Sequence, residues 1–267
     1  MDMGLDGARA LVTGGSKGMG LATATALGAE GASVAIMARG REALDDAAET
    51  IRRAGAPEVL PISVDMADGA SIAAGVETLR GHWDDLNVLV HTVGPGHGSF
   101  DDLDDDAWHD AFDLGTLAAV RVVRGVLPAL RSAPWARVVT LAAHSIQRQS
   151  ASLVAYTASK AALASVTKNL AKTLGADGIL VNCICPGTIV SASFTEILRD
   201  TLAADGLDSS DPHDVMRWVA TTFGHPCDLG RAGTPEEIAS AAVYLASRAN
   251  GYVTGATLNV DGGSDFV

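Results

Sequence analysis

The feature that most constrains the fold of this chain is the alternation of short, continuously apolar runs with longer helical segments. Seven runs have the length and composition of β-strands, at residues 8–13, 32–38, 58–64, 87–92, 136–142, 179–185 and 256–260. Segments rich in alanine, leucine and glutamate alternate with them, near residues 18–29, 41–54, 69–81, 104–130, 154–175 and 235–247. A strand that is apolar throughout is buried on both faces, which is typical of a parallel sheet covered by helices. The pattern predicts an α/β fold, a doubly wound parallel sheet flanked by helices on both faces.

The length of 267 residues favours a single domain over residues 1–267. One segment, residues 191–229, has no strand-like run and contains Pro212 and Pro226. In a doubly wound sheet, an insertion between the last two strands lies near the carboxyl ends of the strands, where ligands bind. We interpret it as a mobile substrate lid. An additional helical excursion on the surface is the alternative.

Charge and cysteine content exclude several classes of function. The chain carries 19 basic and 32 acidic residues, a net charge of −13, which disfavours binding to nucleic acid or to an anionic membrane. Cys183 and Cys185 lie on one face of an apolar run and Cys227 is distant in sequence, so we expect buried thiols in a reducing compartment. A Cys-x-Cys metal pair is the alternative, but no second ligand pair accompanies it, and we expect no metal. Without a secretory signal or a membrane-spanning apolar run, a cytoplasmic location is expected.

A glycine-rich turn follows the first predicted strand and precedes the first helix. The segment Thr13–Gly20 reads TGGSKGMG. Glycines there let the backbone approach a pyrophosphate, whose charge the helix N-terminus stabilises. Because a strand precedes this turn and a helix follows it, a dinucleotide site is a stronger interpretation than a purely structural turn. The candidate cofactor contacts in this turn are Gly14, Ser16, Lys17, Gly18, Met19 and Gly20.

The end of the second strand indicates which dinucleotide binds. A carboxylate usually holds a free ribose 2′-hydroxyl there, but this chain has Arg39, with Lys17 in the glycine turn. Two cations and no acid suit a 2′-phosphate, so NADP(H) is favoured over NAD(H). A solvated loop charge is the alternative for Arg39. Asp65, which closes the third strand, is a candidate contact to adenine, and Met66 is a further candidate cofactor contact.

Tyr156 and Lys160 lie four residues apart at the start of a predicted helix and therefore share one face. A free tyrosine has a pKa near 10, so acid–base work near neutrality needs a drop of roughly three units, or roughly 4 kcal/mol. A nearby lysine cation, together with a positive nicotinamide ring, is a plausible source of that drop. Alone, such a pair is more often an ordinary helix pairing. The glycine turn makes that interpretation improbable.

Together these motifs resemble the short-chain dehydrogenase/reductase (SDR) family along almost the whole chain. The matching segments are TGGSKGMG, VDMAD, YTASKAAL, VNCICPG, GTPEEIASAAVYLAS and TGATLNVDGG. The resemblance implies a Rossmann-type seven-stranded sheet and hydride transfer between a nicotinamide and a carbonyl or alcohol carbon. It implies that Tyr156 passes the proton, and that Lys160 holds the nicotinamide ribose and lowers the pKa of the phenol. It further implies that Pro186, Gly187 and Ile189 flank the nicotinamide. A homotetramer built through the helices near residues 104–130 and 154–175 and the C-terminal strand is also implied.

Two motifs depart from that family. The turn after the fourth strand usually reads Asn-Asn-Ala-Gly, but residues 91–94 read His-Thr-Val-Gly. His91 and Gly94 are candidate cofactor contacts in this turn. The helix asparagine that related proteins use to hold a relay water corresponds to Gly115, which has no side chain to position that water.

A third departure concerns the hydrogen-bond donor to the substrate. The family's serine lies 13 residues before the tyrosine, at Ala143. Losing such a donor typically lowers the rate by about a hundred- to a thousandfold. Ser145 is our candidate replacement, although in an extended chain it would lie about 6.6 Å from residue 143. It can serve only if the strand ends early and the loop curls back. His144 is a second candidate, whereas Ser150 and Ser152 fit loop or helix-cap positions better.

The leading hypothesis is an NADP(H)-dependent oxidoreductase that acts on a ketone or secondary alcohol. Tyr156 is its acid or base, Lys160 orients and tunes it, and Ser145 polarises the oxygen. The rival is a cofactor-binding sensor or scaffold of the same fold with little turnover. Apolar residues in the insertion suggest a largely hydrophobic ligand, namely Phe194, Ile197, Leu198, Trp218 and Phe223.

Overall fold

The computed structural model describes residues 2–264, and its strands coincide with the apolar runs of the sequence. Within these residues the strands form a seven-stranded parallel sheet in the order β3-β2-β1-β4-β5-β6-β7. They are β1 (Arg9–Thr13), β2 (Ser33–Ala38), β3 (Val59–Ser63), β4 (Val88–His91), β5 (Ala136–Leu141), β6 (Ile179–Pro186) and β7 (Thr257–Val260). The predicted doubly wound α/β fold is confirmed.

Helices cover the sheet and form the insertion. They are α1 (Gly18–Ala29), α2 (Arg41–Ala54), α3 (Gly69–His82), α4 (Asp105–Phe112), α5 (Ala118–Ser132), α6 (Val154–Leu174), α7 (Ala192–Ala204), α8 (Pro212–Phe223) and α9 (Pro235–Ala246). A π-helical turn, Asp113–Leu117, joins α4 to α5. Across residues 2–264, no helix combines the length and apolarity that crossing a membrane requires.

The apolar strands bury both faces because successive side chains point in opposite directions. Val12 and Val90 pack with α1, α2 and α9 on one face. Leu11 and Leu89 pack with α3, α5 and α6 on the other. This two-sided burial explains why the strands are continuously apolar rather than alternating.

The order of the strands places the functional site. The chain runs outward from β1 to β3 and then returns to β4 on the other side of β1. Such a reversal opens a crevice at the carboxyl ends of the strands. Thr13 at the end of β1 pairs with His91 at the end of β4, which pairs with Thr140 near the end of β5. The glycine turn and the N-terminus of α6 both lie at this edge.

The insertion at residues 191–229 contains α7 and α8, which pack around an apolar cluster of their own. Four of the five apolar side chains expected to face a ligand pack against that cluster, namely Phe194, Leu198, Trp218 and Phe223. Ile197 alone of the five is largely exposed, at 68%. Apolar residues at helical spacing thus stabilise the insertion itself, and the inference of a hydrophobic ligand loses most of its basis. The function of the insertion as a lid stays a prediction.

Candidate active site

The glycine turn has the geometry that a dinucleotide requires. Gly14 and Gly18 have φ angles of +73° and +52°, a region that glycine adopts without strain. A Cβ atom on Gly20 would lie 2.2 Å from the carbonyl oxygen of Gly14, so the turn packs on α1 only without a side chain there. Lys17 provides no side-chain cap to α1, and the first turn contains no acid. Its N–H groups and positive dipole end therefore suit a pyrophosphate. The same turn contains Ser16 and Met19, both partly buried.

The residues expected near the adenosine end are arranged around β2 and β3. Lys17 and Arg39 are exposed, and neither forms a salt bridge within residues 2–264. Asp65 is exposed and accepts a hydrogen bond from the Ala67 N–H at 3.0 Å. The side chain of Met66 is 4% exposed and belongs to the core. Two unpaired cations thus lie where a 2′-phosphate is expected, whereas Met66 can offer little beyond its backbone.

Tyr156 and Lys160 lie in the first two turns of α6, facing the end of β4. Lys160 is 2% exposed, and its Nζ donates to the carbonyl oxygens of Val93 at 2.9 Å and Leu141 at 2.7 Å. A Cβ atom on Gly94 would lie 3.1 Å from Lys160 Nζ and 3.8 Å from Tyr156 Cε2. The structure thus brings the two side chains and the Gly94 backbone together. Sequence reasoning missed the two carbonyl acceptors, because main-chain groups leave no signature in residue types.

Burial determines the acid–base properties of this pair. It lowers the pKa of Lys160 to about 8, an effect that interactions with Cys183 and Cys185 partly oppose. It raises the pKa of the partly buried Tyr156 to about 12, and Cys185 acts in the same direction. The protein groups alone therefore move the pKa of the phenol in the direction opposite to the one predicted.

Gly115 lies in the π-helical turn that packs against α6. A Cβ atom at this position would approach Ser159 Oγ to 2.3 Å, so an asparagine would not fit the present packing. Thr116 Oγ1 donates to the Ser159 carbonyl at 2.7 Å and fixes this contact. Ser159 Oγ in turn donates to the Tyr156 carbonyl at 2.8 Å. The space that an asparagine side chain would need is therefore filled by Ser159.

The chain turns soon after β5 ends, which is one condition of the Ser145 hypothesis. β5 ends at Leu141, and a 3-10 turn, His144–Ile146, follows Ala143. Ser145 is 2% exposed, and its Oγ accepts a hydrogen bond from Thr157 Oγ1 at 3.0 Å. Thr157 is the neighbour of Tyr156, so the serine reaches the first turn of α6. Its contact with Thr157 could not be inferred from the sequence, because it depends on the path of the loop.

The other candidate donors have different contacts. His144 Nδ1 lies 3.1 Å from the Pro186 carbonyl oxygen, to which it donates. The hydroxyls of Ser150 and Ser152 bond to each other at 3.1 Å within the loop. These two serines stabilise the loop, as the sequence suggested.

The segment expected beside the nicotinamide continues from β6. Pro186 ends that strand, and Gly187 N donates to the Val260 carbonyl at 3.0 Å. A Cβ atom on Gly187 would lie 2.7 Å from Asp261 Cα, which explains the glycine. Ile189 forms an isolated parallel bridge with Gly233. These contacts hold the segment in place along one side of the crevice.

The cysteines are free and buried. Cys183 and Cys185 lie beneath the first turns of α6, in a cluster with Ala142. Within the described part of the chain, residues 2–264, no group of three His, Cys, Asp or Glu side chains is placed to hold a metal ion.

Comparison with known proteins identifies the family. Residues 14–265 match the family described as enoyl-(acyl carrier protein) reductase. The 3-oxoacyl-(acyl carrier protein) reductase FabG of Pseudomonas aeruginosa is 31% identical over 265 residues, which cover 98% of each chain. Dehydrogenase/reductase SDR family member 4 of Caenorhabditis elegans is 29% identical over 260 residues, covering 97% of this chain and 95% of that protein. The crystal structure of L-sorbose reductase from Gluconobacter frateurii, complexed with NADPH and L-sorbose, superimposes with a TM-score of 0.93 at 30% identity, covering 100% of both chains. The chain belongs to the short-chain dehydrogenase/reductase family.

Proposed function

We propose that the protein is an NADP(H)-dependent oxidoreductase that interconverts a ketone and a secondary alcohol. The observation that carries the proposal is the placement of Tyr156 and buried Lys160 against Gly94, at the edge of the sheet that also bears the glycine turn. The related FabG and L-sorbose reductase both bear names of reductases with carbonyl substrates, and the latter binds NADPH.

The residues have distinct roles in this reaction. When bound, NADPH supplies the hydride that reduces the carbonyl carbon, so that a ketone, NADPH and a proton give a secondary alcohol and NADP+. Tyr156 donates its phenolic proton to the carbonyl oxygen. Lys160 directs two N–H bonds to the carbonyls of Val93 and Leu141, which leaves one for a ribose hydroxyl. Its positive charge stabilises the phenolate that remains after the proton has left.

The preference for NADP(H) rests on Arg39 and Lys17, which form no salt bridge within residues 2–264. We expect Arg39→Ala to weaken NADPH binding by about tenfold, because a charge-assisted contact to the 2′-phosphate is lost. NADH binding should change by less than about twofold. Titration of cofactor fluorescence measures both, and Arg41→Ala is the matched control, since Arg41 is already paired with Asp45. Equal losses for both cofactors would contradict the preference.

We propose Ser145 as the donor to the substrate oxygen. Its Oγ accepts a hydrogen bond from Thr157, so its own proton is available for donation. Ser145→Ala should lower kcat by about a hundredfold or more. Thr157→Val removes the same hydrogen bond but keeps the Ser145 hydroxyl, and should lower kcat far less. Equal losses of kcat in the two variants would mean that Ser145 only stabilises the loop. A large gain of kcat in Ala143→Ser would place the donor at residue 143.

The deciding experiment is reduction of a ketone panel with NADPH. The panel should contain a polyhydroxylated ketone, a β-ketoacyl thioester and a bicyclic aliphatic ketone, to cover polar and apolar substrates. Turnover by the native protein that Tyr156→Phe abolishes, with NADPH still bound, supports the enzyme. NADPH binding without turnover on any ketone would instead favour a cofactor-binding sensor or scaffold.

Assembly and location complete the proposal. Large apolar side chains are exposed on the segments that the family uses for assembly, with Leu117 at 42% and Leu258 on the edge strand β7 at 38%. We propose a homotetramer, which light scattering coupled to gel filtration tests. Three buried free thiols fit a cytoplasmic location, which cell fractionation tests.

A further inference from the structure

His91 is a fully buried titratable side chain that the proposed hydride and proton steps do not use. It ends β4 and is 0% exposed. The register of the sheet places it between Thr13 of β1 and Thr140 of β5, and Thr140 pairs with Cys183 of β6. Thr140 Oγ1 lies 2.8 Å from Thr167 Oγ1 of α6. The four polar side chains therefore form a row across the sheet, on the face that α6 covers.

Thr13 contacts the end of β4 and the residue that follows it, through its hydroxyl and its carbonyl oxygen. Its Oγ1 lies 2.8 Å from His91 Nδ1. Its carbonyl oxygen accepts from Thr92 Oγ1 at 2.7 Å and from Thr92 N at 3.3 Å. The direction in which the chain leaves β4 is thus fixed by one residue of the neighbouring strand. His91 is the side chain on β4 through which Thr13 Oγ1 acts.

Val93, the residue after Thr92, accepts a hydrogen bond from the Lys160 ammonium. The Val93 carbonyl, two residues beyond His91, accepts from Lys160 Nζ at 2.9 Å. The second acceptor, the Leu141 carbonyl, follows Thr140 of the same polar row. Any change in the path of β4 beyond His91 therefore moves an acceptor away from Lys160.

A stabilising role does not explain the imidazole. Its Nε2 is buried and has no hydrogen-bond partner within residues 2–264. An unsatisfied buried polar group lowers stability, so a fully satisfied or apolar residue would give a more stable core. The ring also stays uncharged, because burial and then the charge of Lys160 lower the pKa of His91 to about 3.

Lys160 carries the positive charge among the side chains that surround the His91 ring. Thr13 on β1 and Thr140 on β5 carry no charge, and α6 contributes Lys160 and Tyr156. The thiols of Cys183 and Cys185 face the cluster from β6. A charged His91 would repel the ammonium, whereas the neutral ring supports its position.

We propose that His91 is a positioning residue for Lys160. Together with Thr13, its uncharged ring sets the direction in which β4 ends and so places the Val93 carbonyl against the Lys160 ammonium. The inference rests on the proposed function, in which Lys160 orients the cofactor ribose and stabilises the phenolate. It assigns to the side chain of His91 a role within the protein rather than a contact to the cofactor.

The test compares three variants of the full chain on the ketone that is reduced fastest. His91→Leu and Thr13→Val each remove the hydrogen bond between β1 and β4, from opposite ends. His91→Asn keeps it, because an amide atom of asparagine occupies the position of Nδ1. We expect the first two to lower kcat by about 10- to 100-fold, with KM changed by less than about threefold. His91→Asn should stay within about threefold of the native kcat.

The pH profile separates positioning from a general loss of structure. When the Val93 acceptor is displaced, the ammonium loses a charged hydrogen bond, so the alkaline limb of kcat should move down by about one pH unit. The double variant Thr13→Val/His91→Leu should be no worse than either single one, because one interaction is removed. The proposal is overturned if the losses of kcat in the double variant are additive. It is also overturned if His91→Leu keeps both the native kcat and the native alkaline limb. If His91→Leu does not fold, Thr13→Val alone decides by the same criteria.

The experiment distinguishes a wrong role for His91 from a wrong assignment of the protein as a ketone reductase. A native protein that reduces no ketone but binds NADPH refutes the enzyme and not the role of His91. In that case the pH dependence of NADPH binding, followed by cofactor fluorescence, reports the titration of Lys160. A midpoint in Thr13→Val that equals the native one then overturns the inference, and a midpoint about one unit lower supports it.

Discussion

His91 should make this protein sensitive to acid, and a single substitution should remove much of that sensitivity. Burial, reinforced by the charge of Lys160, lowers its pKa from an ordinary 6.5 to about 3. Below pH 6.5 the unfolded chain takes up a proton on His91, whereas the folded protein does not until the pH approaches 3. The unfolded state therefore binds more protons in this window, and stability falls as the pH falls.

The magnitude follows from the shift in pKa. A difference of about 3.5 units corresponds to roughly 5 kcal/mol, all of which is lost by about pH 3. At about pH 4.5 the loss is roughly 3 kcal/mol, a large share of the stability of an ordinary domain. Solvent does not screen this interaction energy, because the His91 side chain is 0% exposed.

The assay is urea unfolding followed by tryptophan fluorescence, at about pH 7.5 and about pH 4.5 and at one protein concentration. In His91→Asn, which cannot titrate, the free energy of unfolding should fall between these values by roughly 3 kcal/mol less than in the native protein. His109→Asn removes an exposed histidine and should keep the full native dependence. If His91→Asn loses as much stability on acidification as the native protein does, the buried neutral imidazole is not the cause and the reasoning is wrong.

Four further predictions follow, three for α6 and its surroundings and one for α8 in the insertion. Gly115→Asn should lower the free energy of unfolding by about 1–3 kcal/mol in a denaturant titration, because its Cβ would lie 2.3 Å from Ser159 Oγ. Lys160, with a pKa of about 8 against an ordinary 10.5, loses its proton in the folded protein first. Between about pH 8 and 10 the native free energy of unfolding should therefore rise relative to that of Lys160→Met, by up to roughly 3 kcal/mol. Without cofactor, the phenolate absorbance of Tyr156 should appear only near pH 12, as the difference between native protein and Tyr156→Phe. Asp211→Ala should destabilise α8 by about 1 kcal/mol, seen as faster local amide exchange, because Asp211 caps that helix through two N–H bonds.

The strands and the glycine turn were predictable because their physical causes are local. A continuously apolar run such as residues 179–185 can be satisfied only between two helical layers, and the observed β6 spans Ile179–Pro186. Gly14 and Gly18 adopt positive φ angles that other residues avoid, so their spacing already indicated the turn. Helical periodicity predicted that Tyr156 and Lys160 lie on one face of the helix.

The parts that could not be predicted depend on contacts between distant segments. Trp218 and Phe223 were expected to face a ligand, but they pack edge to face with ring centroids 5.4 Å apart inside the insertion. Composition does not distinguish a pocket lining from a small core. The pKa of Tyr156 was expected to fall beside Lys160. It rises because burial of the phenol dominates, and Cys185 acts in the same direction.

The three departures from the family pattern meet at the same two turns of α6, and their physical effects are linked. Gly115 admits Ser159, the Ser145 loop reaches Thr157, and the exit of β4 after His91 supplies an acceptor to Lys160. Each substitution therefore alters a support of the Tyr156–Lys160 pair while the pair itself is kept. Restoring the asparagine at residue 115 alone should consequently disturb the local packing, because its Cβ would lie 2.3 Å from Ser159 Oγ. We therefore expect that the proposed Tyr156–Lys160 pair depends on these contacts jointly, and that the family residues would have to be restored together.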